Sequence, residues 1–316
     1  MKRHQEGAMN MFDVIIIGGG PAGLSAGLYA SRALLKTAVI EKGLTGGLIT
    51  TTTEVDNYPG SEKNATGESI TFRMFEQCQE AGCEFVYDDI ISVKKQDNIF
   101  ILDSISGKSY QTKSVILCSG TNPKLLGAKG EIEFRGRGVS YCATCDAGFF
   151  KNMHVAIVGG GDTAIKEADY LTKFASKVTV IHRREEFRAT KILLDELKKN
   201  PKIVFELNQT ILEIQGDTKV RNLLLKNVIT DEIKSLAVDG LFIFAGYEPN
   251  LPVLSEEITL DENGFIVTDE NMYTSLPGLF AAGDIRSKRL KQVITAAADG
   301  AIAAVEAEHY NKTLNR

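Results

Sequence analysis

Cys142, Ala143, Thr144 and Cys145 form a C-x-x-C run. At that spacing two thiols can close a small disulfide loop and one thiolate can be stabilised by its neighbour, so redox exchange is the natural chemistry. Half of a zinc site is the competing use, but it needs a second ligand pair in a matching arrangement. Cys78 and Cys83, five apart, are expected on an amphipathic helix, and His154 is isolated, so no metal is expected. Asp146 follows the pair directly, where a carboxyl can shuttle a proton as a thiolate is made or consumed. Its alternative role is that of a turn or N-cap residue before Ala147 and Gly148.

A second kind of chemistry is carried by glycines. Gly18, Gly20 and Gly23, with Pro21 and Ala22 between them, make G-x-G-x-x-G, a spacing that lets backbone approach a pyrophosphate at a helix N-terminus. Counting 23 residues on from Gly18 reaches Glu41, a carboxylate placed to accept the 2′-hydroxyl of an adenosine ribose. The device recurs 141 residues later as Gly159, Gly161 and Ala164, with Asp162 and Thr163 inside it. There the same count reaches His182 instead of an acid. His182, Arg183, Arg184 and Arg188 place cationic donors where the first copy has a carboxylate, which suits a 2′-phosphate and so NADPH over NADH. Read without the glycine register, the same run with Glu185 and Glu186 is a solvated face.

Both glycine turns need a strand before them and a helix after. Asp13–Ile17 is an apolar run leading into the first turn, with a helix-period stretch from Leu24 to Leu34 beyond it; Val155–Val158 and the stretch through Leu171 repeat the order. Thr37–Ile40 and Lys177–Ile181 complete the two βαβ units. Strand-like segments at 98–102 and 110–117 end at Cys118–Pro123, and Gly240–Asn250 ends the second unit in a similar way. Leu279–Asp284 forms a third such strand before a final helix from about Leu290 to His309, which lacks a sheet of its own and is expected to return to the first domain.

Composition fits two such units. The chain has 316 residues, room for two domains with real cores at about 150 residues each. Hydrophobic residues are 43% and charged residues 24%, with 29 Gly and 7 Pro, which excludes collagen-like and disordered chains. A net charge of -5 provides no basic field for nucleic acid. No apolar run approaches the roughly 18 residues a membrane span needs. Residues 1–11 read as a flexible tail without the apolar stretch of a secretory signal, and five scattered cysteines fit a reducing cytoplasm better than a disulfide framework.

Taken together, these motifs closely resemble the low-molecular-weight bacterial thioredoxin reductases, class II of the pyridine nucleotide-disulfide oxidoreductases. The resemblance runs from Phe12 to the last helix. It rests on Gly18–Gly23, on Gly46 and Gly47 followed by Thr50–Thr53, and on Glu54, Val55, Asp56, Asn57, Tyr58, Pro59 and Gly60. Ser140–Asp146, His182–Ala189, and Phe280–Asp284 with Gln292 complete it. It implies an α/β protein of two Rossmann-like, three-layer ββα domains, with a FAD domain at 12–122 and 250–316 and an NADPH domain inserted at 123–249. FAD would be held by the first glycine turn, Glu41, Gly46, Gly47 and Leu48, with Thr53 and Asn57 near the flavin. Gly283 and Asp284 would meet the ribityl chain, and Lys291, Gln292 and Val293 the pyrimidine edge, where a helix N-terminus favours the negative charge of reduced flavin.

The resemblance further implies a cytoplasmic homodimer that reduces a thioredoxin-like protein through Cys142 and Cys145. It also implies a rotation of the NADPH domain about hinges near 122–127 and 246–250. Three positions depart from the family pattern: Leu48 where Gln is usual, Lys166 where Glu is common, and Lys291 where Arg usually opens the last helix.

Overall fold

The computed structural model describes residues 11–52, 55 and 57–314. The expected tail at 1–11 thus lies outside the described residues except for Met11. The chain divides into two compact units, one made of the segment up to Asn122 together with Glu248 onward, the other of Pro123–Tyr247.

In the first segment the chain runs β1 (Phe12–Ile17), α1 (Pro21–Arg32), β2 (Thr37–Glu41), α2 (Gly67–Glu80), β3 (Glu84–Tyr87), β4 (Ile90–Gln96), β5 (Ile99–Ser104), β6 (Ser109–Leu117) and β7 (Thr121–Pro123). The inserted unit continues with β8 (Val139–Ser140), α3 (Ala143–Asp146), β9 (His154–Val158), α4 (Asp162–Leu171), β10 (Lys177–His182), α5 (Lys191–Leu197), β11 (Ile203–Leu207), β12 (Gln209–Gly216), β13 (Val220–Asn227), β14 (Ile233–Ala237) and β15 (Gly240–Ile243). The return contributes β16 (Tyr247–Pro249), β17 (Val253–Leu254), β18 (Leu279–Ala281) and α6 (Val293–Thr313). The two chain crossings, β7 and β16, pair as a short ribbon.

The first unit is layered because β1 is buried on both faces. Val14 and Ile16 pack with Ala22, Ala26 and Ala30 of α1 and with Ala303, Ala304 and Ala307 of α6. Ile15 and Ile17 pack on the opposite face with Phe100 and Leu102 of β5. A strand covered twice has no polar face to offer, which is why Val14–Ile17 reads as a continuous apolar run. β1 pairs in parallel with β2 and with β6, and β6 pairs again with β18. β4, β5 and the start of β6 form an antiparallel meander.

The second unit repeats the plan with a five-stranded parallel sheet ordered β11-β10-β9-β15-β8. Val155, Ile157, Val178 and Val180 face α4 through Ile165, Ala168 and Leu171. Ala156, Ile181 and Leu241 face Ile211, Ile214, Leu223 and Leu225 of the antiparallel ribbon β12-β13-β14.

Two sequence expectations are corrected. The last helix begins and ends later than 290–309, because Gln292 is its N-cap and donates its N–H to Thr295 Oγ1 at 3.2 Å. Cys83 is not on a helix with Cys78. Gly82, at φ +91°, ends α2 in a Schellman turn in which Cys83 N–H donates to Cys78 O at 3.2 Å and Gly82 N–H to Gln79 O at 2.9 Å.

Helices α1 and α6 meet through small residues. A Cβ built on Gly300 would stand 2.0 Å from Ala22 O and 3.1 Å from Ala26 N. In a free helix Gly→Ala gains roughly 0.5–1 kcal/mol, but here overpacking, which costs about 1–3 kcal/mol, outweighs that gain. Gly300→Ala is therefore expected to lower the thermal unfolding midpoint, and a raised midpoint in a calorimetric scan would contradict this packing.

Candidate functional site

In the first unit the turn between β1 and α1 is held by backbone approach. A Cβ on Gly23 would lie 1.8 Å from Gly18 O, and one on Gly18, at φ +107°, 2.5 Å from Cys118 O. Gly20 caps α1 with no side-chain cap bond among the described residues, Pro21 occupies the first helical turn, and no acid stands there. The first turn of α1 thus holds no acid of its own that could engage its unpaired N–H groups. Glu41 ends β2 and folds back on the turn, its Oε2 accepting Gly19 N–H at 2.6 Å and its Oε1 Gly43 N–H at 2.8 Å. A second glycine pair closes on the first: Gly46 N–H donates to Gly19 O at 2.8 Å, and Gly46 and Gly47 have φ of +123° and +69°. Leu48, which follows them, is exposed.

The same unit supplies a charged cluster around β18 and α6. Asp284 Oδ1 accepts no hydrogen bond among the described residues, and Lys288 Nζ stands 3.6 Å from it. Burial pushes the Asp284 carboxyl above the usual carboxylate range. Asp299, buried on α6, accepts from Gly283 N–H at 3.1 Å, Arg286 Nη1 at 3.0 Å and Lys288 Nζ at 2.9 Å, and so pins the 283–288 turn to the helix. Sequence reasoning missed Asp299, although one charge inside the small-residue run Ala296–Ala304 was a legible signal. Lys291 donates to the carbonyls of Asp284 and Arg286 and lies 3.8 Å from the centre of the Phe265 ring. Burial pulls its ammonium down to about 8. Asn57 Nδ2 donates to Gln292 Oε1 at 2.9 Å, bringing two expected flavin neighbours together, with Val293 as the first residue of α6. Thr53 lies outside the described residues.

In the second unit Cys142 and Cys145 are joined as a disulfide, with Cα atoms 5.3 Å apart. The extended β8 ends at Ser140. Ser140 Oγ accepts Cys142 N–H at 3.1 Å, and Cys142 Sγ caps the single turn of α3 by accepting Cys145 N–H at 3.2 Å. Asp146 closes that turn. Burial raises its carboxyl above the usual range, against an opposing hydrogen bond from Ser140. Cys78, Cys83 and Cys118 are free and buried.

The second glycine turn differs from the first in how its partner residue is used. Gly161 caps α4, in which Thr163 and Ala164 follow Asp162. Ala164 Cβ stands 2.5 Å from where a Cβ on Gly159 would be. Asp162 accepts from Thr190 N–H at 2.7 Å and Thr190 Oγ1 at 2.9 Å, which ties the loop after β10 to the helix start. His182 is corrected: it is not one of the cations. It is buried, its Nε2 pairs with Glu186 O at 3.2 Å, and its ring stacks on Phe187 at 4.8 Å. Burial and the neighbouring arginines pull its pKa below the ordinary imidazole value, so the ring is neutral at pH 7 and acts as a packing wall beside Gly160. Arg183, Arg184 and Arg188 are exposed at the same turn, and Arg188 N–H donates to Gly160 O at 2.9 Å.

With this geometry in place, comparison with known proteins is decisive. A profile of the pyridine nucleotide-disulphide oxidoreductases matches residues 12–300. The thioredoxin reductase of Peptoclostridium acidaminophilum is 51% identical over 95% of this chain and 97% of its own. The chain belongs to the thioredoxin reductases of that family. It is an oxidoreductase. The Helicobacter pylori thioredoxin reductase is 48% identical over 95% of this chain and 99% of its own. Among solved structures, thioredoxin reductase from Streptococcus pyogenes superposes with a TM-score of 0.92 at 41% identity, covering 97% of this chain and all of that one. These matches also establish the α/β fold with two Rossmann-like domains.

The raised Asp146 carboxyl has a thermodynamic consequence. Its folded-state pKa lies above the unfolded value, so its neutral form favours folding below the unfolded pKa and that contribution is lost as pH rises through the folded pKa. Asp146→Asn, neutral at every pH, is expected to raise the unfolding midpoint at neutral pH and to leave it unchanged in acid. Thermal melts at both pH values check this, and a gain in acid equal to that at neutrality would count against burial as the cause.

Proposed function

We propose that this chain is an NADPH-dependent thioredoxin-disulfide reductase, with FAD held by the first unit and NADPH by the second. The observation that carries the reading is the Cys142–Cys145 disulfide, set beside the half-buried Asp146 carboxyl in a unit that also bears a glycine turn and three exposed arginines.

The residues fit a dinucleotide. The glycine cradle of 18–23 excludes any Cβ at two positions, Glu41 is anchored beside it, and Asp284 Oδ1, which accepts no hydrogen bond among the described residues, is an acceptor for a ribityl hydroxyl. Arg183, Arg184 and Arg188 suit the 2′-phosphate of NADPH. FAD, when bound, supplies a two-electron carrier between the hydride of NADPH and the disulfide. The protein's own part is to accept two electrons and two protons at Cys142 and Cys145, with the Asp146 carboxyl holding a proton nearer neutrality than an ordinary aspartate. One thiolate then attacks a disulfide of thioredoxin or a thioredoxin-like protein, and the other thiol resolves the mixed disulfide. Hinges near 122–127 and 246–250 would let nicotinamide and disulfide take turns at the flavin.

The reading is tested by titrating the yellow protein anaerobically with NADPH and, separately, with NADH, then adding oxidised thioredoxin. Bleaching at far lower NADPH than NADH, followed by return of colour, is expected. Cys145→Ser should still bleach but lose thioredoxin turnover by about 1,000-fold or more, as expected when a covalent exchange loses its thiol. Full turnover by this variant, or no bleaching by either nucleotide, would overturn the reading.

A cytoplasmic homodimer accompanies the proposal. Its support is an apolar face of the first unit, where Tyr29 of α1 and Ile302 and Val305 of α6 are partly exposed beside Ala301 and Glu306. A second copy of the chain is the occupant proposed for this face; no helix among the described residues is long and apolar enough to cross a membrane. Val305→Glu is expected to sediment as a monomer where the unsubstituted protein sediments as a dimer. A dimer unchanged by this substitution would place the interface elsewhere.

A further inference from the structure

Tyr141 stands immediately before Cys142, and three parts of the second unit converge on it. Its hydroxyl donates to Glu131 Oε1 at 2.8 Å. The same carboxylate accepts Leu126 N–H at 3.1 Å and Gly127 N–H at 2.9 Å, in the segment by which the chain enters the unit. Tyr247, the last residue before the chain leaves the unit, donates its hydroxyl to Tyr141 O at 2.5 Å. Lys124 N–H donates to Gly246 O at 2.9 Å, so entry and exit are themselves bonded. Glu131 is 2% exposed and Tyr141 9%. Arg135 lies 5.2 Å over the Tyr141 ring, which packs with Phe134, Val139, Ile211 and Leu241. A carboxylate this deeply buried is tolerated only with its lone pairs satisfied, and three donors satisfy it here.

We propose that Glu131, Tyr141 and Tyr247 form a clamp that holds the backbone before Cys142 in the position that favours the Cys142–Cys145 disulfide, and that anchors this position to the points where the chain enters and leaves the unit. The bond geometry supports a positioning role. The carbonyl of Tyr141 is fixed by Tyr247, and the next N–H, that of Cys142, is fixed by Ser140 Oγ at 3.1 Å, so the peptide carrying the first sulfur is restrained from both ends. Cys145 is restrained in turn by the opening of α3. Two thiols held in bonding position close with a high effective concentration, and freeing one of them lowers it. Glu131, Tyr141 and Tyr247 touch neither sulfur in this account; they act through the backbone of Cys142.

The test is the equilibrium of the pair with dithiothreitol in the full-length protein. Reduction is balanced: two dithiothreitol thiols lose two electrons and two protons to form its cyclic disulfide, and Cys142 and Cys145 gain them as two thiols. The oxidised fraction is read by alkylation and mass measurement of the peptide that contains both residues. Tyr247→Phe and Tyr141→Phe each remove one hydroxyl and no bulk. Each is expected to make the pair three- to tenfold easier to reduce, tenfold corresponding to about 30 mV for a two-electron couple. Glu131→Leu combined with Tyr141→Phe should add less than the sum of the two, because both remove the bond between the phenol and the carboxylate. Tyr110→Phe, which removes a hydroxyl bonded to Asp88 at 3.0 Å in the other unit, serves as the control and should not shift the equilibrium.

Values within twofold of the unsubstituted protein for both Tyr247→Phe and Tyr141→Phe overturn the clamp, as does an equal shift in Tyr110→Phe. The inference rests on the pair being redox-active, as proposed above. A pair that dithiothreitol cannot reduce in the unsubstituted protein removes that reading, whereas a pair that titrates normally and ignores the substitutions removes only the clamp.

Discussion

The carbonyl oxygen of Gly18 lies 1.8 Å from where a Cβ of residue 23 would stand, so α1 can begin against β1 only because that residue has no side chain. The first unit is arranged around this approach. With α1 seated on the turn, Ala22 and Ala26 lie where Gly300 brings α6 into backbone contact, and α6 in turn carries Asp299 to the 283–288 turn. Widening the first approach would move each later element, because close-packed layers transmit displacement instead of absorbing it. Among the described residues no acid or side-chain cap closes the start of α1.

Buried charge marks both units and is used in the same way in each. Asp299 gathers one backbone N–H and two cations; Glu131 gathers two backbone N–H groups and a phenol. In each case a carboxylate that would be strongly unfavourable alone becomes a fixed point to which a turn is tied, because the donors of that turn satisfy it where water does not reach. Asp284 contrasts with both. Its Oδ1 accepts no hydrogen bond among the described residues, faces Lys288 Nζ at 3.6 Å, and burial raises the carboxyl above the usual range.

The two glycine turns show how one backbone device diverges through its neighbours. In the first, Glu41 ends β2 and folds back on Gly19 and Gly43. In the second, His182 occupies the equivalent place but is neutral and stacked on Phe187, and the positive charge passes to the arginines beyond it. The His182 ring packs beside Gly160, while Arg183, Arg184 and Arg188 remain in solvent.

The sequence alone determined the elements whose requirements are local. Glycine spacing after an apolar run reported the turns, because a positive φ or a backbone contact admits no other residue, and the two-sided burial of β1 left a run of isoleucines that periodicity could read. The Cys142/Cys145 pair was legible for the same reason, since a four-residue loop brings its own ends together. What the tertiary structure decided depends on the surroundings a side chain acquires on folding. His182 lost its expected charge to burial and to the arginines beside it; Asp299 acquired its role when the 283–288 turn brought its donors, and Glu131 when Tyr141, Leu126 and Gly127 brought theirs. Protonation state and hydrogen-bond partnership are set by the dielectric and the donors around a group, and those surroundings exist only once the chain has folded.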